Sequence, residues 1–309
     1  MNGSAQMIRG LSVVIPTHRR PDKLASCLAA LAESDYPRGR LEVLVVEDGG
    51  PTTELDELRA QPFETLDLIW LDQPHAGPAV ARNLGARHAT RDLIAFTDDD
   101  CRPRRDWARR LDEALRSAPG SVVGGHTVNM LADNLWSSAS QALVTYITAR
   151  GQQPDGEPFF ASNNFALERE LFATLGGFDE TFPLAGGEDR DMCRRLVEAG
   201  RELVWVPEAM VDHYHHLTAR RFWGQHFRYG RGAYQYHCAQ GLRADPTDRN
   251  PSRGVWNMRA KFYLDLVRSP FRYRDAPQRL RVATLLLFSQ LPNALGFFAE
   301  RRRDRNAAR

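Results

Sequence analysis

The chain has 309 residues, with 41 Lys+Arg against 39 Asp+Glu and a formal net charge of +2. That balance lacks the basic field of a dedicated nucleic-acid binder, so no nucleic-acid partner is expected. At 42% hydrophobic and 26% charged, the composition excludes a disordered chain and a multi-span membrane protein, and the length admits one large domain or two ordinary ones.

Leu11-Ser-Val-Val-Ile-Pro16 is a short apolar, β-branched run and predicts a buried strand. Leu24, Cys27, Leu28 and Leu31 then recur at helical spacing from Asp22, giving one stripe that can pack on a sheet. After the break at Tyr36-Pro37-Arg38-Gly39, strands are predicted at Leu41 to Val46 and Leu66 to Leu71. A helix follows from Pro78 to His88, where proline at the first turn removes an amide that has no helical partner. A fourth strand, Leu93 to Thr97, ends in Asp98-Asp99-Asp100, and a helix from about Arg104 to Ser117 presents Trp107, Leu111 and Leu115. Val122 to Gly125 reads as another strand. Strands alternating with helices predict a parallel α/β sheet.

From Ala161 the pattern loosens: Asn163 and Asn164 precede a strand-like Phe-Ala-Leu, and a short helix lies near Arg169 to Leu175. Gly186-Gly187-Glu188-Asp189 opens a helix on which Met192, Leu196 and Val197 face inward, with Gly200 at its C-terminal cap. Leu203 to Val206 is the last predicted strand. Beyond it come an aromatic, basic stretch from Arg220 to His237, a polar loop over 241–256, and an uncharged run from Val282 to Ala299 ahead of Arg301-Arg302-Arg303. Ser289, Gln290, Pro292 and Asn293 interrupt that run, so a core or membrane-surface helix is expected there rather than a span. Cys27, Cys101, Cys193 and Cys238 are scattered without a CxxC, and the first ten residues hold no apolar signal core. The expectation is a reduced, cytoplasmic chain, with peripheral contact at the inner face of a membrane through the C-terminal segment.

Two acidic clusters, Glu47-Asp48 and Asp98-Asp99-Asp100, follow strands and so fall at the edge where open α/β sheets bind ligands. Grouped carboxylates raise one another's cost of ionisation, and a divalent cation offsets it; Mg²⁺ and Mn²⁺ prefer oxygen ligands and bridge carboxylates to phosphate. The alternative is that these acids only end strands and cap helices.

The order of motifs carries more than any one of them. Val14-Ile15-Pro16-Thr17, then Val45-Val46-Glu47-Asp48-Gly49-Gly50, Gly77-Pro78-Ala79-Val80-Ala81-Arg82-Asn83-Leu84-Gly85, and Phe96-Thr97-Asp98-Asp99-Asp100 closely resemble the inverting glycosyltransferases of family 2. Gly176-Gly177-Phe178-Asp179 and Gly187-Glu188-Asp189, with Asp191 and Arg194, are similar to that family's acceptor-side motifs. The resemblance spans about residues 10–216 and implies a GT-A fold, a mostly parallel Rossmann-like sheet flanked by helices. It implies a catalytic domain over 1–216, with a nucleotide-sugar half near 10–125 and an acceptor half near 126–216; residues 217–309 would form a helical extension.

Carried over, the resemblance places Pro16 and Thr17 beside the nucleotide, Asp48 on the base through its imide N–H, and Arg82 and Asn83 on the nucleotide side. Asp98, with Asp99 beside it, would meet the ribose, and Asp100 would ligate a Mn²⁺ or Mg²⁺ ion at the diphosphate. His213 is the expected second metal ligand, with His215 and His216 as alternatives. Asn163, Asn164, Gly187 and Glu188 would line the sugar and acceptor site. Asp189 would be the general base that takes the acceptor hydroxyl's proton, unless it only caps its helix. The implied activity is metal-dependent, inverting transfer from a nucleotide-diphosphate sugar, a UDP-sugar, to a hydroxyl on a glycan, lipid-linked or small-molecule acceptor. A sugar-phosphate nucleotidyltransferase would be expected to carry a glycine-rich loop after the first strand, where Thr17-His18-Arg19-Arg20 has none. A noncatalytic glycan-binding protein at a membrane surface is the third reading.

Overall fold

In the first strand, β1 (Ile8–Thr17), Leu11, Val13 and Ile15 point to one side of the sheet and Val14 to the other, all buried. A strand covered on both faces reads as a continuous apolar run, the pattern the sequence shows. The computed structural model describes residues 8–153, 156–182, 186–244, 260–272 and 278–307. Around β1 lie β2 (Leu41–Asp48), β3 (Asp67–Gln73) and β4 (Arg91–Phe96), all parallel, with Val14 opposite Leu44 and Phe96. The eight-stranded order is β3-β2-β1-β4-β7-β6-β8-β5, where β5 is Cys101–Pro103, β6 Val122–Asn129, β7 Phe165–Glu168 and β8 Leu203–His213. β4 with β7, β7 with β6, and β5 with β8 pair antiparallel, so the sheet is parallel in its first half only. The chain leaves β1 toward β2 on one side and returns as β4 on the other. In open α/β sheets such a reversal marks the edge where ligands bind, here the C-terminal ends of β1 and β4.

Helices cover both faces of this sheet. α1 (Pro21–Ala32) and α4 (Trp107–Ser117) pack on one face through Leu24, Leu28, Trp107 and Leu111; α2 (Thr53–Arg59) adds Leu55 and Leu58. α3 (Pro78–His88), α6 (Arg169–Thr174) and α7 (Glu188–Glu198) cover the other with Ala81, Phe172, Met192 and Leu196. Val197 departs from expectation: it is exposed, one position round α7 from the stripe that Met192 and Leu196 make. Gly200 caps α7 as expected, with φ at 72°. The last strand is longer than predicted because Pro207 stays within β8, which continues to His213. α4 begins at Trp107 rather than Arg104, since the Arg104 N–H still bonds the Met210 carbonyl of β8 and residues 104–106 make the turn into the helix.

The chain divides into two compact units. One comprises Met1–Val128, Pro158–Pro183 and Met192–Tyr214; the other Asn129–Glu157, Leu184–Asp191 and His215–Arg309. The second is helical: α5 (Leu135–Gly151), α8 (Ala219–Ala244), α9 (Ala260–Arg272) and α10 (Arg279–Ala307), around Leu143, Phe222, Leu266, Val282 and Leu286. α5 escapes sequence reading because its buried side is largely Ser137, Ser138, Ser140 and Gln141, which make no apolar stripe. Of the predicted polar loop over 241–256, residues 241–244 belong to α8 and the remainder lies outside the described residues. α10 continues through Pro292 as one helix, and it alone among the described helices is long and apolar enough to cross a membrane, with a third of that stretch buried.

Candidate active site

The end of β4 turns through Asp98-Asp99-Asp100 straight into β5, whose antiparallel register sets Cys101 opposite His213. Backbone pairing thus brings Asp100 and His213 together across more than a hundred residues, with His213 Nε2 3.3 Å from Asp100 Oδ1. Around the triplet stand two cations from the start of α1, Arg20 just before the helix and Lys23 in its first turn. Arg20 lies 2.9 Å from Asp99 and 3.3 Å from Asp100, and Lys23 is 3.0 Å from Asp100. Neither was expected from the sequence; the signal was their position directly after Pro16-Thr17, on the strand beside β4. The charge of the triplet is thus already partly balanced by the protein.

The three aspartates are not equivalent. Asp99 is wholly buried, accepts a 2.7 Å hydrogen bond from Thr17 Oγ1, and faces Arg20. Burial, with the charges of Asp100 and Asp98, outweighs Arg20 and Thr17 and pushes its carboxyl up to about 7. Burial also opposes ionisation of Asp100, but His213, Lys23 and Arg20 outweigh it and hold that carboxyl well below the usual range. Asp98, the most exposed of the three, takes Arg82 at 2.8 Å, and the Arg82 guanidinium lies over the Phe178 ring. Among the described residues, Asp100, Cys101 and His213 offer ligand atoms within 4.8 Å of one another. Burial raises the Cys101 thiol well above its ordinary value, so it enters as a neutral neighbour. An ionised carboxylate with an imidazole is a donor set that fits Mn²⁺ or Mg²⁺.

Asp48 ends β2 and already holds four donors. Gln73 Nε2 at 2.8 Å and Ala76 N at 2.7 Å reach Oδ1; Gly77 N and His75 Nδ1, both at 2.9 Å, reach Oδ2. Burial would raise this carboxyl, yet these bonds outweigh it and lower it. A carboxylate has about four lone-pair sites, so Asp48 is saturated by the loop leading into α3. His75 stacks on His18, with ring centroids 4.5 Å apart, and His18 bonds the Asp48 carbonyl oxygen. Neither histidine was singled out from the sequence.

Asn83 and Asn164 are spent within the protein. Asn83 donates to the Phe178 carbonyl (2.8 Å) and Glu180 (2.9 Å) and accepts from Phe178 N, fastening α3 to the Gly176–Glu180 turn. Asn164 accepts from Trp107 Nε1 at 2.8 Å and donates to the carbonyls of Ala209 and His126. Asn163 is buried beside Thr127, 3.3 Å away. Pro16 lies opposite Val46 in the β1–β2 register.

Asp189 belongs to the helical unit. Gly186 and Gly187 adopt φ of 121° and 112°, a turn that L side chains rarely enter, and Glu188 and Asp189 follow as the first residues of α7. Glu188 is buried and accepts from Gly186 N at 2.7 Å; Asp189 accepts from Arg190 N at 2.8 Å. α8 seats this turn. A side chain at Gly232 would collide with the Gly186 carbonyl, and one at Gly186 would meet the Tyr229 ring. Arg243 pairs with buried Asp191, and Arg190 reaches Glu157 at 2.5 Å while lying over the Tyr236 ring. Burial, with Asp189 and Glu188 close by, pushes the Tyr229 phenol up to about 12. In the same unit, Ser137 donates to the His215 carbonyl, and His216 is exposed. Of the three candidate histidines, His213 meets Asp100.

Comparison with known proteins agrees with this architecture. Residues 12–176 match Glycosyl transferase family 2, and residues 151–220 match the family described as N-terminal domain of galactosyltransferase. The chain belongs to glycosyl transferase family 2. It is similar to the pre-mycofactocin glycosyltransferase of Mycobacterium tuberculosis, 31% identical over 73% of this chain and 47% of that protein. Glycosyltransferase AglE of Haloferax volcanii is 25% identical over 73% of each. The chain thus spans about half the length of the first of these relatives. Among solved structures, the mannosyltransferase PcManGT of Pyrobaculum calidifontis, in complex with GDP-Man and Mn²⁺, matches with a TM-score of 0.58 at 22% identity, over 91% of this chain and 75% of that one. GalNAc-T7, with UDP, GalNAc and Mn²⁺, matches at 0.55 and 17%, over 84% of this chain and 54% of that one. These likenesses establish the GT-A fold.

Proposed function

We propose that the protein transfers a sugar, with inversion at the anomeric carbon, from a UDP-sugar to an acceptor hydroxyl in glycan or glycoconjugate synthesis. The observation that carries the reading is the meeting of Asp100 and His213 at the ends of β4 and β8, beside Thr17, Arg20 and Arg82. Asp100 and His213 would hold a divalent cation, which when bound supplies Lewis-acid stabilisation of the departing diphosphate. Arg82 orients Asp98 toward the ribose. Asp48 reads the base after giving up its bond to His75, the exposed member of its four partners. Asp189 takes the proton from the acceptor hydroxyl, which alone is a poor nucleophile. A cytoplasmic location accords with four free cysteines, three of them buried. A panel of nucleotide-sugars screened by thermal shift with Mn²⁺ tests the donor assignment: a UDP-sugar should stabilise the protein, and the Asp100→Asn variant should lose that shift. Equal stabilisation of wild type and variant would contradict the metal assignment.

A further inference from the structure

α10 carries two apolar faces where packing explains only one. Val282, Ala283, Leu286 and Ser289 are buried within the helical unit, and Gly296 and Gly230 let α10 and α8 approach backbone to backbone. On the opposite side Leu280, Leu287, Phe288, Leu291, Leu295 and Phe298 are exposed, Leu280 by 73% and Leu287 by 61%. They recur at helical spacing over about 27 Å of axis. From Thr284 to Ala299 every exposed residue on this helix is uncharged. A stripe of this length is larger than the single apolar side chains normally scattered over a soluble surface.

The charges at its ends identify what covers it. Arg279 and Arg281 are exposed on either side of Leu280 at the start of the stripe, and Arg302, Arg303 and Arg305 after its end. Of the acids among them, Glu300 is buried and bound by Arg231 at 2.5 Å and Gln235 at 3.1 Å, and Asp304, though exposed, accepts from the Tyr234 hydroxyl, which leaves the arginines in excess. A second copy of the helix would set arginine against arginine at both ends, whichever way it ran. An anionic lipid surface complements both the apolar stripe and its basic flanks. α10 is also joined along its length to α8, which carries Arg220, Arg221, Arg228 and Arg231. Such a pair cannot cross hydrocarbon cheaply, so the helix lies in the plane of the interface.

We infer that the exposed face of α10 seats this protein on the surface of an anionic phospholipid bilayer, with Leu287, Phe288, Leu291 and Leu295 among the acyl chains and the flanking arginines on the headgroups. The inference is independent of the proposed transfer reaction. Co-sedimentation of the full chain with phosphatidylcholine vesicles, with and without about one third phosphatidylglycerol, tests it. The wild type should pellet with the anionic vesicles and stay largely in solution with the neutral ones. Leu287→Ser/Leu291→Ser should weaken binding about tenfold while the thermal midpoint is kept. Arg302→Glu/Arg303→Glu, at the exposed end where folding is not at stake, should weaken it by a similar factor and remove its salt dependence. Wild-type binding by both variants would overturn the inference. So would a wild-type dimer, by light scattering, that the leucine variant dissociates, or a protein that alkaline carbonate fails to extract from membranes.

Discussion

The two acidic regions of this chain are positioned by different means. At the ends of β1, β4 and β8, strand register delivers Thr17, the Asp98–Asp100 turn and His213 to one place, and short polar bonds complete the arrangement. In the Gly186–Asp191 segment no strand takes part: two glycines in left-handed conformations make the turn, and α8 supplies its seat through Gly232, Tyr229 and Arg243. A site built on register tolerates side-chain loss without moving its neighbours. One built on close helix packing transmits a single methyl group to the residues it holds.

This contrast orders the expected effects. The largest is chemical: Asp189→Asn should lower transfer by roughly 10²–10⁴-fold while nucleotide affinity stays within about twofold; steady-state turnover beside a nucleotide titration checks it. Next is the register-built half, where Asn164→Ala leaves the Trp107 indole N–H and two carbonyls without their partner. Urea unfolding should show a loss of about 2–4 kcal/mol. For the packing-built half, Gly232→Ala should cut turnover by about tenfold to a hundredfold through displacement of the Gly186–Asp189 turn. The donor KM should be unchanged, whereas a collapse of donor binding would break the distinction between the two regions.

The smallest effect concerns pH and α8 alone. His226 is fully buried, and burial pulls its imidazole down to about 4 from an ordinary 6.5. The folded state therefore keeps it neutral while the unfolded chain takes up a proton below pH 6.5. Stability present above pH 6.5 is lost as pH falls toward 4, by about 2 kcal/mol at pH 5. His226→Phe should flatten that part of the pH–melting profile, leaving the share due to His237, whose imidazole burial also lowers to about 4.

The parallel part of the fold was legible because its strands are buried on both faces and its helices carry single apolar stripes. Leu24, Cys27, Leu28 and Leu31 all lie in the core as their spacing implied. His213 was named through the family resemblance alone, since the sequence reading ended its strand at Val206; that it, rather than His215 or His216, lies beside Asp100 follows from the β5–β8 register. Arg20 and Lys23 were overlooked because their partners lie some eighty residues away, and the parallel pairing that joins them leaves no local trace. The serine-lined face of α5 and the glycine contacts of α8 were hidden for a related reason: small residues that permit close approach have no periodic apolar signal.

The most direct test of this division of labour is a titration of UDP-sugar into wild type, Asp100→Asn and Asp189→Asn, with Mn²⁺ and with chelator, alongside release of UDP on adding acceptor. The account predicts Mn²⁺-dependent binding by wild type and Asp189→Asn, loss of that binding in Asp100→Asn, and UDP release by wild type alone. Full release by Asp189→Asn, or equal binding by Asp100→Asn in the presence of Mn²⁺, would contradict it.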